Sequence, residues 1–254
     1  MKTQRSAFYI KSKGADESSI KKGLRWLHQL GSKDLSKRSA TLAVNQPSIL
    51  RGTIESVIGS AAVKKLRDRH SITVTPTQVS LLTERDSIYS LNGPVLAVYP
   101  SKKLLDKIDS LEGVTDILVI PWTQSEIQYW IDTWSAAELG STSQPTASKQ
   151  VSDPVVKAAL ESLTHRVNLS SALANPTDRS ATIRTFEVLR DNGVSYDPPE
   201  IRSWLVSQLH WNPKDADKAE ELAEGVLRGT SYKVERDVWI DNIFEIWKND
   251  AKNY

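Results

Sequence analysis

The chain has 254 residues, 39% of them apolar and 25% charged, enough for one large domain or two small ones with a sizeable core. It has no cysteine, which excludes disulfides and thiolate metal sites. No apolar run approaches the roughly 18 residues a membrane helix needs. The start, MKTQRSAFYIKSKG, lacks the apolar core of a secretory signal, so the cytoplasm is the expected compartment and no membrane partner is expected.

The formal net charge of +2 conceals an asymmetry. Residues 1–70 hold 15 lysines and arginines against five carboxylates, a net of +10, and the rest of the chain is net acidic. A basic first quarter suits an anionic partner such as nucleic acid or a phosphate group, although separate solvated helix faces would produce the same count.

In chain order, Ala7–Lys11 (AFYIK) reads as a first strand. Asp16 or Ser18 can cap a helix to about Leu30, with Ile20, Leu24 and Leu27 at helical spacing, weakened at Gly23 and ended at Gly31. Ala40–Val44 (ATLAV) reads as a buried strand, followed by Asn45-Gln46-Pro47-Ser48, where Pro47 suits a first helical turn. One helix or a pair of short ones runs on to about Arg69, with Gly52 and Gly59 as breaks. Ile72–Leu82 alternates β-branched residues around Pro76, which predicts an edge strand or two short strands, and Ser87–Leu91 is a candidate to pair with them.

Gly93–Trp134 carries the clearest pattern: strand, helix, strand, helix. Val95–Tyr99 and Ile117–Ile120 lack polar alternation, as expected of strands covered on both faces. Between them Ser101 can cap a helix carrying Leu104, Leu105, Ile108 and Leu111, and Gly113 offers a stop. Thr123-Gln124-Ser125-Glu126 fits a capping box ahead of a helix with Ile127, Trp130, Ile131 and Trp134 on one face.

Residues 1–140 are therefore expected to form an α/β domain, a mainly parallel, Rossmann-like sheet with helices on both faces. Residues 141–153, rich in Ser, Thr, Pro and Gln, read as a linker. Residues 154–254 read as an all-α domain of five helices. They begin at Asp153-Pro154, about Asp178, Asp197-Pro198-Pro199-Glu200, Asn212-Pro213 and about Arg236.

No motif fixes an activity or a cofactor. There is neither a G-x-G-x-x-G nor a G-x-x-x-x-G-K-[ST] loop, and the four histidines, His28, His70, His165 and His210, have no metal-ligand spacing. In an open α/β sheet, ligands collect beyond the carboxyl ends of the strands. The polar and aromatic residues expected there are Asn45, Ser48, Tyr99, Ser101, Lys102, Trp122, Thr123 and Gln124. The same residue types cap helices in any α/β protein. The densest basic run contributes Lys64, Lys65, Arg67 and Arg69 as nucleic-acid candidates, yet it falls at a helix C-terminus, where the dipole favours cations regardless.

Of the eight tryptophans, Trp122 and Trp211 stand in turns, where partial exposure is expected, and Trp130, Trp134, Trp204 and Trp247 fall on apolar helix stripes. The last helix, with Trp239, Ile240, Ile243, Phe244 and Trp247, is apolar enough to suit a protein partner or a second copy of the chain. Three readings stay open: a binding or interaction module with a crevice at the strand ends, an enzyme acting on a nucleotide or phosphorylated substrate, and a nucleic-acid-binding protein using residues 1–70.

Overall fold

A computed structural model describes residues 5–141, 151–169, 173–235 and 238–254. The expected linker falls largely on residues 142–150, outside the described residues. The chain divides into two compact units, Met1–Ser148 and Lys149–Tyr254.

Among the described residues, the first unit is built on seven strands: β1 (Ser6–Tyr9), β2 (Ser39–Val44), β3 (Ile72–Val74), β4 (Thr77–Thr83), β5 (Ser90–Val98), β6 (Glu112–Ile120) and β7 (Ala137–Glu138). They form one sheet in the order β3-β4-β2-β5-β6-β1-β7, parallel throughout except for β3 against β4. This is not the 3-2-1-4-5-6 order of the dinucleotide-binding doubly wound fold, because β1 lies beside the edge strand. Five helices cover the sheet: α1 (Glu17–Lys33), α2 (Thr53–Ile58), α3 (Ser60–Arg67), α4 (Lys102–Ser110) and α5 (Gln128–Trp134).

The unbroken apolar runs of β2, β5 and β6 are explained by burial on both sides. Leu42, Val44, Leu96, Val98, Leu118 and Ile120 face α1, α2 and α3, forming one core layer with Ile20, Leu27, Ile54 and Leu66. The alternate residues Ala43, Val95, Ala97, Ile117 and Val119 form a second layer with Leu104, Leu105, Ile108 and Trp130 of α4 and α5. Period-two alternation thus feeds two cores.

Several local expectations change. α1 runs through Gly23 and Gly31 to Lys33. A Cβ on Gly23 would lie 2.8 Å from Leu96 Cδ1, and one on Gly31 would lie 2.2 Å from Thr77 Oγ1. Both glycines let the helix approach its neighbours closely and neither breaks it. Gly113 does not stop α4, which has already ended at Ser110. It lies inside β6 at φ 77°, where a Cβ would sit 2.0 Å from the Leu91 carbonyl oxygen. Ser87–Leu91 does not pair with β4: residues 84–89 cross the sheet without a helix, and the strand that follows pairs with β2 and β6. Pro76 separates two short strands, β3 and β4, with β3 at the sheet edge.

At the amino end of β1, Arg5 ties the second helical layer together. Its guanidinium donates to the carbonyls of Ile108 (3.3 Å), Asp109 (3.1 Å) and Leu111 at the end of α4, and lies 5.4 Å from the Trp134 ring centroid. These carbonyls lie in the last turn and cap of α4, where a helix leaves acceptors open.

The described residues of the second unit contain five α-helices and a closing 3-10 turn, with no strand: α6 (Pro154–Arg166), α7 (Pro176–Asp191), α8 (Pro198–Ser207), α9 (Pro213–Leu227) and α10 (Ile243–Asp250). Asp153, Asn175 and Asn212 cap α6, α7 and α9, each just before a proline. Asp197 occupies the same place before α8 but makes no side-chain capping bond. The last helix starts well after Arg236, itself outside the described residues. The preceding segment spends its groups on α7: Glu235 N–H donates to Ser180 Oγ at 3.0 Å, and the Trp239 indole N–H donates to the Ala181 carbonyl and Thr185 Oγ1. α10 packs on α6, with Ile243 and Trp247 buried.

Candidate functional site

The carboxyl ends of β2, β4, β5 and β6 meet around Asn45. Its side-chain N–H donates to the Tyr99 carbonyl at 3.0 Å, its Oδ1 accepts from Ser101 N–H at 2.7 Å, and its own carbonyl accepts from Glu84 N–H at 3.3 Å. A short side chain carrying one donor group and one acceptor is what this bridge between β2 and β5 requires. Ser101 Oγ accepts from Leu104 N–H at 3.1 Å, capping α4, and donates to the Glu84 carboxylate. Tyr99 turns the chain here in the left-handed region, at φ 51°.

The Tyr99 ring points toward β1 and β6. Its hydroxyl accepts from Asp16 N–H at 3.0 Å, beside the cap of α1, and its ring meets Trp122 edge-on at 5.3 Å. Burial pushes the Tyr99 hydroxyl pKa above its usual value. The Trp122 indole, 48% exposed, lies over Gly14, whose N–H donates to the Trp122 carbonyl at 2.8 Å.

Of the residues expected here, the structure joins Asn45, Tyr99, Ser101 and Trp122, and adds Gly14, Asp16 and Glu84. Lys102 turns away along α4, pairing with Asp106 at 2.9 Å and lying 5.5 Å from the Tyr129 ring. Thr123 and Gln124 open a 3-10 turn, where the Glu126 carboxylate accepts from Thr123 N–H at 3.4 Å. Ser48 is exposed in the 3-10 turn Pro47–Leu50. Asn45 and Ser101 thus bond to one another and to the strand ends.

The basic run has a different environment. Gly52 and Gly59 start α2 and α3 and fold the chain back, so that Arg51 faces α3. Arg51, Lys64 and Arg67, with Glu55, Ser60 and Asp68, line a groove of about 610 Å³. Lys64 and Arg67 are three apart on α3 and therefore share a face. Arg51, Lys64, Lys65 and Arg67 are exposed and form no ion pair among the described residues. Lys65 lies outside the groove lining.

Arg69 separates from this group. Its guanidinium forks onto the Asp86 carboxylate at 3.0 and 2.6 Å. Burial raises the Asp86 pKa, but Arg69 and the N–H and hydroxyl of Thr83 outweigh it and hold the group below the usual carboxylate range. Arg51 had no signal in the sequence, since it stands alone between Leu50 and Gly52, thirteen positions before Lys64.

The buried charges elsewhere serve the fold. Asp109 lies within reach of Arg5 (3.7 Å) and accepts from the Trp130 indole at 3.3 Å; burial pushes its carboxyl up to about 6 against the pull of Arg5. In the second unit, buried Arg202 pairs with Asp217 at 2.5 Å and with Glu220 at 3.7 Å. Burial pushes Asp215 up to about 6 as well. Trp211 is buried, contrary to the exposure expected of a turn residue: His210, at φ 58°, redirects the chain, and the Trp211 indole donates to Thr164 Oγ1 at 2.8 Å. Among the described residues, no group of three or more His, Asp or Glu side chains is placed to hold a metal ion. Likewise, no helix among them is long and apolar enough to cross a membrane.

Comparison with known proteins bears on the helical unit. No curated protein matches the chain, and no solved structure does. Residues 152–248 match the family described as Domain of unknown function (DUF1889), over the segment that carries α6 to α9 and most of α10.

Proposed function

We propose that the protein is a cytoplasmic binding module whose α/β unit takes an anionic partner on the basic surface of α3 and the turn before α2. The observation that carries this reading is the set of exposed cations Arg51, Lys64, Lys65 and Arg67, which form no ion pair among the described residues. Unneutralised exposed cations attract polyanions over about a Debye length, roughly 10 Å at 0.1 M salt. A mainly parallel sheet between helices makes the strand ends the usual ligand position. Here the bonds among Asn45, Tyr99, Ser101 and Glu84 favour the neighbouring basic surface instead.

Fluorescence anisotropy with a labelled single-stranded oligonucleotide tests this. Binding should weaken steeply between about 50 and 200 mM salt, as phosphate contacts require. The double variant K64E/R67E should lose most of it. Equal binding by that variant, or none by the native chain at low salt, overturns the reading.

A further inference from the structure

The groove between the Pro47 turn and α3 has more specific chemistry than the charge of the surface around it. We infer that it holds the phosphate monoester of a small hydroxyl-bearing molecule, an inference that rests on the anion-binding reading above. Its volume, about 610 Å³, falls within the range of small-molecule sites, roughly 300–1,000 Å³. Arg51 and Arg67 reach it from two separate elements and Lys64 joins them, so a single phosphate can be approached from both walls. Guanidinium forks suit phosphate oxygens in pairs, and an ammonium adds a compact point charge.

The carboxylates narrow the ligand. Glu55 and Asp68 line the same groove, and ionised carboxylates only accept hydrogen bonds. They repel a second phosphate and suit hydroxyl or amine donors on the ligand body. A bare polyanion running along the groove would meet both of them, whereas one phosphate on a sugar-like body satisfies both kinds of wall. Such a monoester is found on a free sugar phosphate and also at the phosphorylated end of an oligonucleotide. The cation cluster would recognise both.

The test is a titration of the full chain with ribose 5-phosphate, followed by backbone amide NMR, with inorganic phosphate and ribose as comparison probes. Ribose 5-phosphate should move the signals of Arg51, Ser60, Lys64 and Arg67 and bind at least tenfold tighter than inorganic phosphate. S60Y, which fills the groove without altering charge, should weaken ribose 5-phosphate at least tenfold and leave salt-dependent oligonucleotide binding intact. K65E should do the reverse. If a 5′-phosphorylated oligonucleotide competes with ribose 5-phosphate at least tenfold better than its unphosphorylated counterpart, the monoester is confirmed as the recognised group. Equal, weak shifts from phosphate and ribose 5-phosphate spread over Lys65 and Arg69, or no effect of S60Y, would overturn the groove. The oligonucleotide measurement judges the broader reading separately, and failure there with intact groove binding would sink only the extended surface.

Discussion

The carboxyl ends of the strands and the groove beside α3 belong to one unit and use similar residue types, but they treat polarity in opposite ways. At the strand ends, Asn45 and Ser101 take part in at least four hydrogen bonds with neighbouring strand ends and loops. In the groove, Arg51, Lys64 and Arg67 have no carboxylate within pairing distance among the described residues, although Glu55 and Asp68 line the same surface. On the proposed reading, this difference separates architecture from recognition: groups bonded internally hold the fold, whereas exposed charges without ion-pair partners meet a partner molecule. The strand ends would then serve as a joint.

The largest effect should come from opening that joint. N45A leaves the Tyr99 carbonyl and Ser101 N–H without their partner and should cost on the order of 2 kcal/mol in urea unfolding. It should leave binding of ribose 5-phosphate unchanged. A large loss of binding with little loss of stability would mean that the strand ends are the recognition site.

Next comes the groove itself. R67E should weaken ribose 5-phosphate at least tenfold, about 1.4 kcal/mol, while stability stays within about 0.5 kcal/mol. If instead the variant unfolds readily and its residual binding is native, Arg67 belongs to the fold.

A smaller effect separates the exposed tryptophan from its surroundings. W122A removes the edge-on contact with Tyr99 and the cover over Gly14 and should cost about 1 kcal/mol. Anion affinity should not change. A loss of affinity as large as that of R67E would extend the binding surface to the strand ends.

The buried carboxyls give a pH test that touches neither region. Asp109 and Asp215 keep their protons to about 6 in the fold, whereas an ordinary carboxyl of this type releases its proton near 3.8. Between those values the folded chain binds more protons than the unfolded one. Their contribution to stability is therefore full below about 3.8 and is lost as the pH rises through about 6. The variant D109N/D215N should lack that decline in urea unfolding between about pH 4 and 6. An unchanged decline would assign it to other groups.

How much could be read from the sequence follows from how local each cause is. The strand–helix–strand over Gly93–Trp134 was legible because its signals lie within a few residues. Ser101 caps its own helix, and the unbroken apolar runs of β5 and β6 mark strands buried on both sides. Prolines at the starts of α6, α8 and α9 marked those helices for the same reason, whereas Pro176 at the start of α7 reads in the sequence as the end of a loop. Gly31 misled because its role is set by Thr77, on the distant β4. Trp211 misled because its partner, Thr164, lies on another helix.

The candidate site divided in the same way. The exposed cations Lys64, Lys65 and Arg67 were visible as a run, but Arg69, two positions on, is withdrawn by Asp86, and Arg51 enters only because the chain folds back at Gly52 and Gly59. Local sequence fixes the class of most elements, the two-sided burial of the central strands and the sign of the first quarter, because periodicity, capping and charge act over one or two turns; β7, a two-residue strand, carries no such signal. The strand order, the Asn45 bridge between the ends of β2 and β5 and the convergence of Arg51 with Lys64 and Arg67 come from long-range packing. Those depend on which distant backbones are brought within hydrogen-bond or Coulomb range, and no local pattern encodes that distance.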